Sequence, residues 1–315
     1  MEKIALFGAT GNVGRRIAEQ LLEKGIASSI TLDLYASPSS KGKLFMTSRG
    51  PFIIHSPEDC NFKDYGLCLF ATDSDISRCY VPKALAAGCI VVDSSSAYRM
   101  DPDTPLIVVP VNGDKIDLSH HRLYSCPNCI ASPLSLVLAP LQRQYGIKRV
   151  SVTTYQSTSG AGKDPMDELM VETNQLLQGK THERRHFLRQ IAFNVIPQVD
   201  KIREDGFTSE EHKIICEVQK ILGSSFPVTA TSVRVPVLIG HSISAEIECI
   251  HPFDLHQATA LLAASPCVEI SKNPTLPHGL QLWLCSDNLR RGAATDAVEA
   301  AATLIQQGAL HAAAR

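Results

Sequence analysis

The spacing of apolar positions changes character along the chain. Lys3 to Phe7 is a short apolar run. It meets Gly8-Ala9-Thr10-Gly11-Asn12-Val13-Gly14, then a stretch from about Val13 to Glu23 in which Ile17, Leu21 and Leu22 share one helical face. Ile30 to Tyr35, Leu67 to Ala71 and Cys89 to Val92 repeat the short apolar run, with a helical stretch through Pro82 to Ala87 and another apolar run at Leu106 to Val111. Runs without polar alternation fit strands buried on both faces. Alternating with helices, they predict a parallel sheet covered on both sides.

Near Cys129 the pattern changes. Cys129 to about Tyr145 predicts a helix. Arg149 to Tyr155, Thr231 to Val237 and Ser242 to Ile250 are β-branched and alternate, as in a sheet with one wetter face. The polar region Met166 to Leu222 reads as mainly helical, broken at Phe193-Asn194-Val195-Ile196-Pro197, and Leu289 to Leu310 as an alanine-rich helix. The expected architecture is α/β. A Rossmann-type parallel-sheet domain spans 1–128 and takes back the last helix, about 289–315; an α+β domain spans 129–288.

With 315 residues, 44% hydrophobic and 20% charged, the chain has room for two domains and a sizeable core. A net charge of −2 offers no basic surplus for nucleic acid or an anionic membrane. The N-terminus lacks the apolar stretch of a signal peptide, and no apolar run approaches the roughly 20 residues of a membrane span. The ten cysteines show no even spacing and read as reduced thiols, which places the expected protein in the cytoplasm. Most of them are expected to be small core residues.

Chemistry enters at two places. Gly8-x-x-Gly11-x-x-Gly14 follows a strand and opens a helix, the context in which glycines let a pyrophosphate approach the helix N-terminus. Asp33 has nearly the spacing of an acid that holds an NAD ribose, but it falls inside the strand. The strand's edge carries Ser37, Ser39, Ser40, Lys41 and Lys43, which suit a 2′-phosphate, so NADP is expected rather than NAD. The second place is Cys126-Pro127-Asn128-Cys129 ahead of a helix, where N–H groups and the helix dipole favour a thiolate. A nucleophilic thiol beside a nicotinamide suggests oxidation of an aldehyde through a thioester. The same spacing also fits a redox dithiol or, with His120 and His121, part of a zinc site. No second CxxC pair completes one, and no metal is expected.

Further motifs follow in order: Ser95-Ser96-Ala97-Tyr98-Arg99-Met100-Asp101; Pro127-Asn128-Cys129; Tyr155-Gln156 with Ser159-Gly160-Ala161-Gly162; Phe193 to Pro197; Glu210-Glu211-His212-Lys213; Arg234-Val235-Pro236-Val237 with Gly240-His241-Ser242; and Ser286-Asp287-Asn288-Leu289-Arg290-Arg291-Gly292-Ala293. In this set the chain resembles the aspartate-semialdehyde dehydrogenases along nearly its whole length. The resemblance implies NADP-dependent interconversion of L-aspartate 4-semialdehyde and 4-phospho-L-aspartate, in the reductive direction towards lysine, threonine, methionine or diaminopimelate. It implies Cys129 as nucleophile, His241 as general acid/base and Gln156 orienting the acyl-enzyme. Arg234 would bind the substrate carboxylate and Glu210 its amino group. Arg99 and Lys213 would hold phosphate, and Asn128 would touch substrate. The cofactor would meet Gly8, Thr10, Gly11, Asn12, Val13, Ser37, Ser40, Ser159, Gly160 and Asn288. It also implies a homodimer or homotetramer, paired through the second domain.

Rival readings are an N-acetylglutamyl-phosphate reductase, a glyceraldehyde-phosphate dehydrogenase with Cys126 as nucleophile, and a non-catalytic redox sensor switching at Cys126 and Cys129. The chain departs from the family's pattern at Cys126, Ile130-Ala131, Ser39, Ser94, Asp296 and Glu299. Cys126 invites the idea of an oxidative brake on Cys129.

Overall fold

In the strand β1 (Lys3–Phe7), Ile4 and Leu6 enter one core layer while Ala5 and Phe7 enter the opposite one. This is the signature of a strand covered on both faces, and it explains why the sequence shows no polar alternation there. The computed structural model describes residues 3–26, 30–181, 183–263 and 268–310. They divide into one unit of Met1–Asn128 with Arg290–Arg315 and another of Cys129–Leu289.

In the first unit, β1 is followed by α1 (Asn12–Glu23), β2 (Thr31–Tyr35), β3 (Leu44–Thr47), β4 (Gly50–His55), β5 (Leu67–Phe70), α2 (Ser74–Ala86), β6 (Ile90–Asp93), the short α3 (Val109–Asn112) and β7 (Leu123–Ser125). The 7-stranded sheet runs β3-β4-β2-β1-β5-β6-β7, parallel except for the β3–β4 hairpin. One face stacks Phe7 on Phe70 (ring centroids 4.5 Å apart) and on Tyr35. The other packs Ile17, Ala18 and Leu21 of α1 with Ala297, Val298, Ala301 and Leu304, which lie on α8 (Thr295–Gln306). The alanines let these two helices share one layer with the sheet.

The second unit holds α4 (Ala131–Tyr145), β8 (Ile147–Gln156), α5 (Lys163–Leu177), α6 (Ser209–Leu222), β9 (Val228–Arg234), β10 (His241–Cys249), α7 (Leu255–Leu261), β11 (Val268–Asn273) and β12 (Gly279–Ser286). Its mixed 5-stranded sheet runs β11-β12-β10-β8-β9, with β8 and β9 parallel and the other pairs antiparallel.

Several expectations need correction. Leu106 makes only a lone bridge to Ser125, and the rest of that apolar run turns into α3 at Pro110. The region 178–208 is irregular rather than helical. Phe193 and Asp200 take positive φ, and buried carboxylates of α5 receive its backbone amides: Glu168 from Arg185 and His186, Glu172 from Ile191 and Ala192. The alanine-rich tail is kinked, because Arg291 and Gly292 leave helical angles before α8 begins. Of the cysteines expected in the core, Cys79 and Cys285 are exposed and Cys60 and Cys216 are half-buried; Cys267 lies outside the described residues.

Candidate active site

The buried face of the second sheet is apolar along its middle and polar at one edge. On β8 the inward positions read Val150, Val152, Thr154, Gln156; on β9 they read Val228, Ala230, Ser232, Arg234; β10 begins inward with His241 and continues Ile243, Ala245, Ile247. Gln156 pairs in register with Arg234, and Ser242 with Tyr155. Three adjacent strands therefore end or begin with Gln156, Arg234 and His241 facing the same way. Period-2 alternation that builds the core also aims the functional side chains.

Helix α6 adds Glu210 and Lys213. Its start is fixed by a capping box: Glu211 N–H donates to Thr208 Oγ1 at 3.2 Å and Thr208 N–H donates to Glu211 at 2.7 Å. The other oxygen of Glu211 accepts from Ser232 N–H of β9 at 2.8 Å, which ties helix to strand. Gln156 Nε2 donates to Glu210 (3.2 Å) and to Thr154 Oγ1 (3.2 Å). Lys213 bridges Glu210 at 3.3 Å and Asp200 at 2.9 Å. Burial disfavours the Lys213 charge, but the two carboxylates overcome it and raise the pKa. Asp200 also loses by burial, yet Lys213 holds its carboxyl below the usual range.

Arg234 is 7% exposed. Its Nη1 donates to Ser157 carbonyl at 2.6 Å, and no carboxylate among the described residues is ion-paired with it. Burial lowers its pKa, while Cys129 and, behind it, Glu210 and Asp200 pull the other way. A desolvated guanidinium with no carboxylate within ion-pair distance among the described residues is built to receive an anion. Cys129 is half-buried and immediately precedes Ile130, the N-cap of α4.

His241 is 1% exposed, and its Nδ1 lies 3.0 Å from both the Ser157 N–H and the Ser157 hydroxyl. Burial first, then the Arg234 charge, push its pKa down to about 3, against a smaller pull from the Gly240 carbonyl. Gly160 closes one side: a Cβ there would stand 3.1 Å from Nε2 and 3.3 Å from Arg234 Nη1. Asn288 and Ser159, expected to touch cofactor, commit their polar atoms internally. Asn288 Oδ1 accepts from Gly240 N–H (2.9 Å) and Ser159 Oγ (3.1 Å), and Asn288 Nδ2 donates back to Ser159 Oγ (2.9 Å). They brace the turn that carries His241.

In the first unit, Gly8 takes φ +82° and a Cβ on it would strike Ala71 O at 2.1 Å; a Cβ on Gly14 would strike Gly8 O at 2.1 Å. Between them, the N-cap of α1 is Gly11, which brings no side chain to the helix's N-terminal donors. This donor set suits a pyrophosphate. Beyond β2, Ser37 Oγ lies 3.0 Å from Ser39 Oγ and 3.4 Å from Ser40 Oγ. Asp33 accepts from Tyr65 OH at 2.8 Å, and Lys41 is held by Asp59 at 2.9 Å. Arg99 is buried; its Nε donates to Cys126 carbonyl and its Nη2 to Ser94 carbonyl, both at 2.8 Å. Asn128 is buried as well. Asp296 and Glu299 do not present loose negative charge, because Arg291 binds them at 2.8 and 2.7 Å.

Cys126 does not offer the exposed, low-pKa thiol that a redox partner of Cys129 would need. It sits 1% exposed in the first unit's apolar core, and burial pushes its thiol pKa well up. A protonated, enclosed thiol is neither a ready nucleophile nor a ready peroxide target. Among the described residues, no His, Cys, Asp or Glu group could hold a metal ion. Sequence reasoning missed Asp200 and the Ser157 N–H. Aspartate tolerates positive φ, which is a weak signal for Asp200; a backbone donor leaves none.

Two family models match the chain: the NAD binding domain of semialdehyde dehydrogenase over residues 3–119 and its dimerisation domain over residues 138–279. An aspartate-semialdehyde dehydrogenase from Rickettsia conorii is 38% identical over 96% of this chain and 97% of its own. Aspartate-semialdehyde dehydrogenase 2 of Vibrio cholerae is 35% identical over the same shares. The crystal structure of aspartate semialdehyde dehydrogenase II from Vibrio cholerae, complexed with ASA, superposes with a TM-score of 0.94 at 33% identity, covering 98% of this chain and 99% of that one.

Proposed function

The chain belongs to the aspartate-semialdehyde dehydrogenase family, and on that premise we propose that it interconverts L-aspartate 4-semialdehyde and 4-phospho-L-aspartate through a thioester on Cys129, in amino-acid biosynthesis. The observation that carries this reading is Arg234, a buried guanidinium with no ion-pair partner among the described residues, which attracts Cys129 electrostatically and shares its sheet edge with His241 and Gln156. Arg234 takes the substrate carboxylate as a fork. Glu210, already charged against Lys213, takes the amino group. Together they carry the aldehyde to Cys129.

In the oxidative direction Cys129 Sγ, kept as thiolate by Arg234 and the N-terminus of α4, attacks the aldehyde carbon. The alkoxide that forms is met by His241. With the hydride gone, the carbon is a thioester, held for attack by Gln156. Phosphate then displaces Sγ; Lys213 and Arg99 are the cations the family resemblance assigns to it. A bound nicotinamide supplies the hydride acceptor in this direction and the donor in the other. Gly8, Gly11 and the start of α1, through Thr10, Asn12 and Val13, would hold its pyrophosphate. The hydroxyls of Ser37 and Ser40 favour NADP, since Asp33 is spent on Tyr65. Asn128 is assigned to substrate, and the matched dimerisation domain to a homodimer.

The test is phosphate-dependent NADP reduction with aspartate semialdehyde. Wild type and Cys126→Ala are expected to turn over and Cys129→Ala to be inactive. NADP is expected to exceed NAD by about tenfold or more in kcat/KM, that is ~1.4 kcal/mol. Activity that survives loss of Cys129 would overturn the mechanism.

A further inference from the structure

Lys213 has two carboxylate partners, and the nearer one belongs to no recognised motif. Its Nζ lies 2.9 Å from Asp200 Oδ2 and 3.3 Å from Glu210 Oε2. The other oxygen of Glu210 accepts from Gln156 Nε2 at 3.2 Å. Glu210 is buried, whereas Asp200 and Lys213 are partly exposed. Glu210 and Lys213 ride on α6, and Asp200 reaches them from the irregular chain that precedes the helix.

That approach is fixed through the backbone. Asp200 takes φ +69°, a conformation that aspartate and asparagine enter more readily than most side chains. Its Oδ1 accepts from Lys201 N–H at 2.9 Å, and its carbonyl accepts from Gln198 Nε2 at 3.1 Å. The Lys201 carbonyl receives Ser209 N–H at 2.8 Å, from the residue just before Glu210. Asp200 is thereby tied to the start of α6, with Oδ2 turned to Lys213.

Two carboxylates here share one ammonium, and exposed Lys201 attracts Asp200 more weakly. Arg234 answers Cys129 first and these two acids less. The Asp200–Lys213–Glu210 group is therefore short of one cation. An amino-acid substrate brings that cation as its ammonium and brings Arg234 a carboxylate. Without Asp200, Lys213 would have Glu210 alone and would neutralise it before any substrate arrived.

Resting on the aspartate-semialdehyde reading above, we propose that Asp200 is a positioning residue for recognition of the substrate's amino group. It draws Lys213 towards itself and leaves Glu210 a negative charge for the substrate ammonium to meet. Preference for the amino acid over its des-amino analogue then depends on a residue that acts through Lys213.

The test is isothermal titration calorimetry of the full-length enzyme without cofactor or phosphate. The ligands are L-aspartate 4-semialdehyde and succinate semialdehyde, which lacks the amino group. Addition of the aldehyde to Cys129 is common to both, so the ratio of their affinities isolates the amino group. Wild type is expected to favour the amino aldehyde by about tenfold or more. Asp200→Asn keeps an acceptor for Lys201 N–H and suits the positive φ, but carries no charge. It is expected to hold Tm and to cut the ratio about fivefold, the size of a partly exposed ion pair. In a Lys213→Met background the same change is expected to alter the ratio less than about twofold, because its route runs through the ammonium. In turnover, Asp200→Asn is expected to raise KM for the semialdehyde about fivefold with kcat little changed. A wild type that does not discriminate, an Asp200→Asn ratio equal to that of wild type, an equal weakening of both ligands, or a full effect in the Lys213→Met background overturns the proposal. The expected ratios from an enzyme without phosphate-dependent NADP reduction would leave the charge placement standing and sink the dehydrogenase reading.

Discussion

Arg234 costs the fold free energy and returns it as recognition. A buried cation with no carboxylate in direct contact is destabilising, so Arg234→Leu is expected to hold or raise Tm. The same change is expected to lower kcat/KM by about 10²–10³, roughly 3–4 kcal/mol for a lost buried charge-assisted pair. Arg234→Lys should recover only part of it, because a lysine cannot form the fork. A fall in Tm with unchanged kcat/KM would show that the arginine is structural. At this scale the sequence was most legible where a side chain carries the chemistry. Cys129, Gln156, Arg234 and His241 all stand in recognisable motifs, and three of them fall on one sheet edge. It was least legible where the partner is backbone. The Ser157 N–H stands against His241 Nδ1, and Asp200 shares Lys213 with Glu210, yet neither shows in the spacing of residues.

Among the elements, α6 shows how a cap positions a site. Glu211 caps its own helix and receives Ser232 N–H of β9, so one carboxylate sets the helix start and its registry on the sheet. Thr208→Ala removes only the cap's hydroxyl and is expected to cost about 1 kcal/mol in denaturant unfolding. Glu211→Ala breaks both roles and leaves the buried Ser232 N–H unpaired, for about 2–3 kcal/mol. It should also raise KM for the amino-acid substrate, because Glu210 and Lys213 ride on that helix. Equal costs for the two variants would count against the double role. The Thr208-x-x-Glu211 box is visible in sequence; its reach to β9 is not. The long stretch 178–208 looked helical from its polarity. It is instead held by the carboxylates of Glu168 and Glu172, a tertiary arrangement that local pattern does not encode.

At the scale of the whole molecule, the doubly covered parallel sheet and the mixed sheet were both readable, since apolar runs and alternating runs have different physical causes. β3, β4, β7, β11 and β12 were not: β3 and β7 are too brief to show a period, and β4 opens on Gly50-Pro51. The chain's return to the first unit through α8 follows from alanines that fit against α1. Stability should carry the mark of buried His241. Its folded pKa lies near 3 against about 6.5 unfolded, so below about pH 6.5 the unfolded chain binds the extra proton. Stability is then lost as pH falls towards about 3, by up to ~1.4 kcal/mol per unit. His241→Asn is expected to move the acid-unfolding midpoint to lower pH, and an unmoved midpoint would contradict that burial. The central claim, however, is the bond to Cys129. With aspartate semialdehyde and NADP but no phosphate, the enzyme should accumulate its thioester. Peptide mass spectrometry is expected to find the aspartyl acyl group on the Cys129 peptide and to see it vanish when phosphate is added. An enzyme that reduces NADP while that peptide stays unmodified, or that carries the acyl group elsewhere, would contradict the account.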